Sequence, residues 1–250
     1  MKIGLLGAGE IGTTLAMKLG AAGHDVAIAN SRGPGTIPPR ALSTSARAVR
    51  AADVTHNVDV LIVSVPLNRA PQVAPIVATT PAGATIIDTG NYYPMRDGRI
   101  DALEAGQVES LWVTDHYGRL VSKAWNAITS QSLETEGRPA DTAGRIAIPI
   151  AADADHDREV TMRLVEETGF DAYDAGSLAN SWRQQPGTPA YCTDLTLEEL
   201  PAALASADRS VAGERRDTVN RALIARLDAG LAIDRAFIVE LNRKTYLQPR

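Results

Sequence analysis

Cysteine is almost absent from this 250-residue chain. Cys192 stands alone, which excludes an internal disulfide framework and a thiolate cluster for a metal. A single thiol reads as buried rather than nucleophilic. Histidine is also scarce, and His24, His56, His116 and His156 lack the paired spacing of zinc ligands, so no metal site is expected. No Lys/Arg run occurs and the formal charge is -5, which argues against a nucleic-acid partner. Apolar runs are short: Val58 to Val65 is broken by Asp59 and Ser64, far below the roughly 20 residues of a membrane span. The chain opens on a strand pattern instead of a leader, and a cytoplasmic location is expected. No Ser/His/Asp arrangement, internal repeat or low-complexity tract is visible. Against these absences stand 44% hydrophobic and 22% charged residues. That composition suits one large α/β domain, or a nucleotide-binding domain of roughly 190 residues with an appendage.

The strongest positive signal lies at the amino terminus. Gly7-Ala8-Gly9-Glu10-Ile11-Gly12 follows an apolar run ending at Leu6 and opens into a segment with Ile11, Leu15, Ala16 and Leu19 at helical spacing. In such a turn Gly7 permits the tight bend, Gly9 lets a pyrophosphate approach, and Gly12 allows close packing of helix on strand. Helix-terminal N–H groups would meet the phosphates. The bland alternative is a glycine turn used for packing alone. A second strand over 24–29 ends in Asn30-Ser31-Arg32, where an acid usually holds the ribose 2′-hydroxyl. A guanidinium with a neighbouring hydroxyl suits a 2′-phosphate, so NADP is expected over NAD; a solvated arginine in a loop is the other reading. Arg40 is a candidate helper.

Further strands are expected at 58–65, 84–88, 120–124, 146–150 and 170–173, with helices at 41–52, 70–78, 100–105 and 157–168. The Gly/Pro-rich stretch 31–40 reads as a loop. Alternation of strands and helices predicts a doubly wound parallel sheet of the Rossmann type. After Cys192 the pattern is helical only: Thr196 and Glu199 have capping-box form, while Val219, Leu223, Ile224 and Leu227 share a face. Two units follow, a dinucleotide-binding domain over 1–192 and a helical extension over 193–250. The extension docks on the domain or on a second copy, and its apolar face allows a homodimer. The stretch 203–216 is polar enough for a mobile segment.

Ligands of open α/β sheets lie beyond the carboxyl ends of the strands. Val65-Pro66-Leu67 should therefore border a ribose of the cofactor, and Asn91 the nicotinamide, with Tyr92 and Tyr93 beside it. Lys123-Ala124-Trp125-Asn126 closes the next strand and offers a cation, a ring and an amide. Tyr92, Lys123 and Asn126 are the substrate candidates; packing tyrosines and a surface lysine are the plain alternatives. The segment 181–192 reads as a rim over the site or as a connector to the tail. No catalytic residue is singled out.

The GAGEIG turn, Asn30-Ser31-Arg32, the segment 91–98, Lys123 to Asn126 and Asp174-Ala175-Gly176-Ser177-Leu178 together resemble the NADP oxidoreductase family, whose type members depend on coenzyme F420. The chain is also similar to the reductase domain of the STEAP metalloreductases. The resemblance covers about residues 1 to 195. It implies that Ala8 to Ile11 line the pyrophosphate, Ser31 and Arg32 the 2′-phosphate, and Val65 to Leu67 the ribose, with 123–129 near the nicotinamide. The loop after Arg32, the Tyr92-Tyr93 region and the tail beyond Cys192 depart from the deazaflavin enzymes. The leading functional expectation is hydride transfer between NADP(H) and a small-molecule partner with a flat ring, coenzyme F420 or a flavin. Such a partner carries its own chemistry and needs no dedicated acid. The rivals are reduction of a carbonyl or imine, with Tyr92, Tyr93 or Lys123 supplying the proton, and a non-catalytic NADPH-sensing module.

Overall fold

A computed structural model describes residues 1–247; positions 248–250, the end of the expected extension, lie outside the described residues. Five of the six strands of the main sheet occur where apolar runs require them or close by: β1 (Lys2–Leu6), β2 (Asp25–Ala29), β4 (Val60–Val63), β5 (Thr85–Asp88) and β6 (Ser122–Lys123). The sixth, β3 (Arg47–Ala48), pairs with β2. All are parallel in the order β3-β2-β1-β4-β5-β6, so the winding direction reverses between β1 and β4. This is the Rossmann-like architecture, with helices on both faces.

Strand residues show why both faces must be covered. Val60 and Ile62 of β4 enter one apolar cluster with Ile3, Leu5 and Ile87, while Leu61 and Val63 enter the opposite cluster with Leu6 and Ile86. A near-continuous apolar strand is stable only between two helical layers. The helices α1 (Glu10–Ala21), α6 (Ser130–Thr135) and α7 (Asp155–Glu167) cover one face. On the other lie α2 (Ala70–Val77) and α5 (Glu109–Tyr117), with the short helices α3 (Pro94–Asp97) and α4 (Asp101–Glu104) leading into α5. A second, two-stranded parallel sheet, β7 (Ala147–Ile150) and β8 (Asp171–Asp174), continues the layer. It joins β6 through an antiparallel bridge between Lys123 and Ala151.

Several local expectations change. The stretch 41–52 contains 3₁₀ turns around β3 and no helix. Ser45 Oγ donates to the carbonyls of Gly20 and His24, and Ala27 and Ile28 pair with Arg47 and Ala48, so tertiary hydrogen bonding overrides the alanine-rich helix propensity. The helix α5, for which no element was expected, ends at Gly118 in the left-handed region. The stretch 203–216 falls in α8 (Leu200–Ala205) and the start of α9 (Arg209–Asp228). The capping box of Thr196 and Glu199 forms, with the Glu199 carboxylate accepting from the Thr196 N–H at 2.9 Å.

After α9 the chain folds back as α10 (Arg235–Tyr246), and the two helices pack together. Their inner face meets the first domain: Val219 and Tyr246 join Ala127, Tyr191 and Cys192 in one buried cluster. The tail thus packs against its own chain. Among the described residues no helix is long and apolar enough to cross a membrane.

One ion pair secures the carboxyl ends of β5 and β6. The Lys123 ammonium lies 2.5 Å from an Asp88 carboxylate oxygen and also donates to the Gly90 carbonyl; the two side chains are 0% and 4% exposed. Removing one member strands the other charge in the interior. Lys123→Met should therefore lower unfolding free energy by about 3–5 kcal/mol in urea titration, and a loss below about 1 kcal/mol would contradict this reading.

Candidate functional site

The turn after β1 leaves no room for side chains. Gly7 has φ +117°, and an added Cβ would collide with the Ser64 carbonyl; a Cβ at Gly12 would strike the Gly7 carbonyl. The Gly7 N–H donates to Ala29 O at 2.8 Å, and Ser64 N–H to Leu6 O at 2.8 Å, so the turn is tied to both neighbouring strands. Gly9 differs: a Cβ there would meet nothing within 4 Å. It is the N-cap of α1 and supplies no side-chain cap. Open space before uncapped first-turn amides is the geometry a diphosphate needs. The cradle therefore fits the dinucleotide implied by the sequence.

Two cavities meet at this turn. The first, of about 580 Å³, is lined by Gly7, Ala8, Asn30, Ser31 and Arg32. Asn30 Oδ1 accepts from the Arg32 N–H at 3.0 Å, which turns the chain at the end of β2. Arg69 and Gln72 complete the opposite wall, and neither was a sequence candidate. The available signal was a cation just beyond Val65-Pro66-Leu67, on the turn leading into α2. Arg40 is not among the lining residues. Its guanidinium pairs with Glu10 at 3.1 Å and with Glu134, pinning the Gly/Pro loop to α1 and α6.

The second cavity, of about 440 Å³, runs from Glu10 and Ile11 over Asn91 and Asn126 to the tail helices. Gly9, Ser64, Val65 and Pro66 border both cavities. Trp125 stands in the left-handed region at φ +54°, a conformation non-glycine residues rarely adopt outside turns, so the chain reverses beyond Lys123 and Asn126 comes to line the cleft. Asn91 and Asn126 interlock: Asn126 Nδ2 donates to Asn91 Oδ1 at 3.0 Å, and Asn91 Nδ2 to the Asn126 carbonyl at 2.9 Å. Gln184 Nε2 donates to Asn126 Oδ1 at 2.9 Å from behind. The far wall consists of Tyr93, Tyr191, Cys192 and, from the tail, Asn220, Asn242 and Tyr246. Burial pushes the Cys192 thiol well up, so it remains a neutral lining group.

Four sequence candidates, Lys123, Tyr92, Leu67 and Gly12, line neither of the two cavities. Lys123 is spent on Asp88 and Gly90, because a cation at 0% exposure needs a full set of partners. The Tyr92 hydroxyl donates to Glu104 at 2.8 Å, and its ring lines a separate hollow beside Glu109 and Arg216. Leu67 packs into the core below the sheet edge. Gly12 acts beneath the turn through its missing Cβ. The segment 181–192 is largely buried, and its end supplies Tyr191 and Cys192 to the cleft. The tail residues escaped the sequence reading except for the Val219 and Leu223 face. Asn242 and Tyr246, four apart on α10, were the remaining signal. No metal-binding group of acidic, His or Cys side chains occurs among the described residues.

Residues 2–92 match the family model described as NADP oxidoreductase coenzyme F420-dependent. The curated putative protein YjhV of Escherichia coli is 52% identical over 56 residues, which span 22% of this chain and 41% of that protein. A hypothetical protein, SMa0349 from Sinorhizobium meliloti, has a similar fold, with TM-score 0.67 and 27% identity over 78% of this chain and 95% of that one. A putative F420-dependent NADP-reductase from an Arthrobacter species gives TM-score 0.59 at 20% identity, covering 72% and 87%. A 3-hydroxyisobutyrate dehydrogenase from Mycobacterium tuberculosis gives 0.53 at 16%, covering 92% and 66%. The last two are likenesses of fold.

Behind the cleft, Glu109 holds the segment 91–93: its carboxylate accepts from the Tyr92 N–H at 3.0 Å and is 6% exposed. Burial pushes this carboxyl up to about 7, against the pull of Lys123 and the Tyr92 N–H. A raised folded-state value means the proton is held more tightly when folded, so the stabilisation is complete below pH 4.5 and is lost as pH rises through about 7. Urea titrations should show stability falling across that window by up to about 1.4 kcal/mol per pH unit, with Glu109→Gln flattening the slope. An unchanged slope in the variant would assign the effect elsewhere.

Proposed function

We propose that this chain, whose residues 2–92 match the NADP oxidoreductase family model, is an NADP(H)-dependent oxidoreductase moving hydride between the nicotinamide and a small acceptor in the tail-walled cleft. The observation that carries this reading is the common border of the two cavities. Gly9, Ser64, Val65 and Pro66 belong to both, so one extended ligand crossing the glycine turn would reach from Arg32 to Asn91. Gly7 to Ile11 would hold the pyrophosphate, Ser31 and Arg32 the 2′-phosphate, Val65 and Pro66 a ribose, and Asn91 the carboxamide side. When bound, the nicotinamide supplies or accepts the hydride, and the protein's task is to hold it against the acceptor and exclude water.

A flat-ring acceptor, deazaflavin- or flavin-like, suits a cleft walled by Tyr93, Trp125, Tyr191 and Tyr246. The family description points the same way. Reduction of a carbonyl or imine is the second reading, and the paired hydroxyls of Tyr93 and Tyr191, 2.5 Å apart in the cleft, favour it. A stopped-flow screen of deazaflavin, flavin, quinone, ferric, ketone and cyclic imine acceptors separates these readings. NADPH oxidation with a ring, ketone or imine acceptor is expected. Tight NADPH binding with no turnover of any of them would replace the enzyme by a sensing module.

Cofactor choice has its own measurement. Arg32→Ala should weaken NADPH about 10- to 100-fold by calorimetry, the equivalent of one charge-assisted hydrogen bond, and leave NADH unchanged. Equal affinity of the native protein for both cofactors would remove the 2′-phosphate role from Arg32.

A further inference from the structure

Whether the acceptor is a ring or a free double bond, hydride delivery to a neutral molecule builds negative charge, and the sequence named Tyr92, Tyr93 and Lys123 as possible proton sources. The fold removes two of them. Tyr92 donates to Glu104 outside the cleft, and Lys123 is committed to Asp88 and the Gly90 carbonyl. Tyr93 lines the cleft, and its backbone N–H is fixed by Asp97 at 2.9 Å.

A directional hydrogen-bond chain ends on this hydroxyl. Gln184 Nε2 donates to Asn126 Oδ1, Asn126 Nδ2 donates to Asn91 Oδ1, and Asn91 Nδ2 donates to Tyr191 Oη at 3.3 Å. Each amide is held in this orientation, since reversing any one of them would oppose donor to donor or acceptor to acceptor; Gln184 is itself fixed by donating to the Pro149 carbonyl. Tyr191 receives a hydrogen bond from Asn91 and lies 2.5 Å from Tyr93 Oη, where either hydroxyl can donate; the aligned state is the one in which Tyr191 donates. The Tyr93 hydrogen is then left to point at a ligand in the cleft.

We propose that Tyr93 is the proton donor of the reaction, aligned by Tyr191 and the Asn91-Asn126-Gln184 amides, and that the acceptor carries a polarised C=N or C=O unit. This inference rests on the NADP(H) reading above. As hydride forms a C–H bond at the acceptor carbon, the π pair moves onto nitrogen or oxygen. There the Tyr93 O–H bond breaks and an N–H or O–H bond forms. The coenzyme ends oxidised, and the Tyr93 phenolate takes a proton from water once product has left the cleft, so the step balances without a further reagent. Burial keeps the Tyr93 phenol protonated well beyond neutral pH. A developing alkoxide or amide anion is nevertheless basic enough to take its proton. Ferric ions, which need no proton, fall outside the class.

The test compares the native protein with Tyr93→Phe and Tyr191→Phe on a cyclic imine (dihydroisoquinoline), a ketone (cyclohexanone) and coenzyme F420, each with NADPH. Tyr93→Phe should lower kcat about 100-fold or more on whichever probe the native protein reduces and abolish its solvent deuterium isotope effect. NADPH affinity by calorimetry should stay within about twofold, which also shows that the variant is folded. Affinity of the NADP complex for the reduced product, the cyclic amine or alcohol, should fall about tenfold, the equivalent of one hydrogen bond. Tyr191→Phe should retain more activity, with a diminished isotope effect. Native kcat and isotope effect in Tyr93→Phe would overturn the inference, as would turnover confined to ferric acceptors or reduction of none of the three probes. Each of those outcomes leaves NADPH binding intact. Failure of the native protein to bind NADPH would instead overturn the functional reading beneath it.

Discussion

The structure depends on a close backbone approach that only glycine permits. β1, β2 and β4 converge where the Gly7 N–H reaches the Ala29 carbonyl and the Ser64 N–H reaches the Leu6 carbonyl. A side chain at Gly7 would enter the Ser64 carbonyl, and one at Gly12 would enter the Gly7 carbonyl. Because this junction is also where the sheet's winding reverses, the same constraint that packs α1 onto the strands opens a crevice on either side of the turn. The two cavities are the two halves of that crevice.

The floor of the cleft is built by buried polar groups that leave one another little freedom. Lys123 and Asp88 neutralise each other at the strand ends and hold the Gly90 carbonyl, so residue 91 emerges in a fixed place. Glu109 fixes the next amide and Asp97 the one after. The interlocked Asn91, Asn126 and Gln184 side chains then carry a single hydrogen-bond direction to the tyrosine pair. Such networks are costly when half satisfied and rigid when complete. The position of Tyr93 is in this sense set in part from behind the cleft, by Lys123, Asp88, Glu109 and Asp97.

The helical tail is part of the site. Asn220 on α9 and Asn242 and Tyr246 on α10 close the cleft opposite the glycine turn, with Val219 and Leu223 as its apolar lining. The shape of the cleft is therefore finished by the helical tail.

The glycine turn, the strands over 3–6 and 84–88, and the Arg32 position were legible in the amino-acid sequence because they obey local rules. A turn without Cβ atoms, apolar runs between helical segments, and a charge at a fixed offset from a strand need no knowledge of distant neighbours. The short β3, the retirement of Lys123 and Tyr92 from the cleft and the arrival of Tyr191, Asn242 and Tyr246 had no local signature. Lys123 reads as a cation in any sequence; only the pairing of β5 with β6 puts Asp88 in reach and turns it inward. Tyr93 and Tyr191 are 98 residues apart, and their hydroxyls meet in a cluster that Val219 of α9 and Tyr246 of α10 complete. Sequence alone thus determined that a glycine turn links the first strand to its helix and where it lies, since backbone sterics are local. Which side chains face the cleft was decided by packing, since burial and hydrogen-bond satisfaction are properties of the assembled chain.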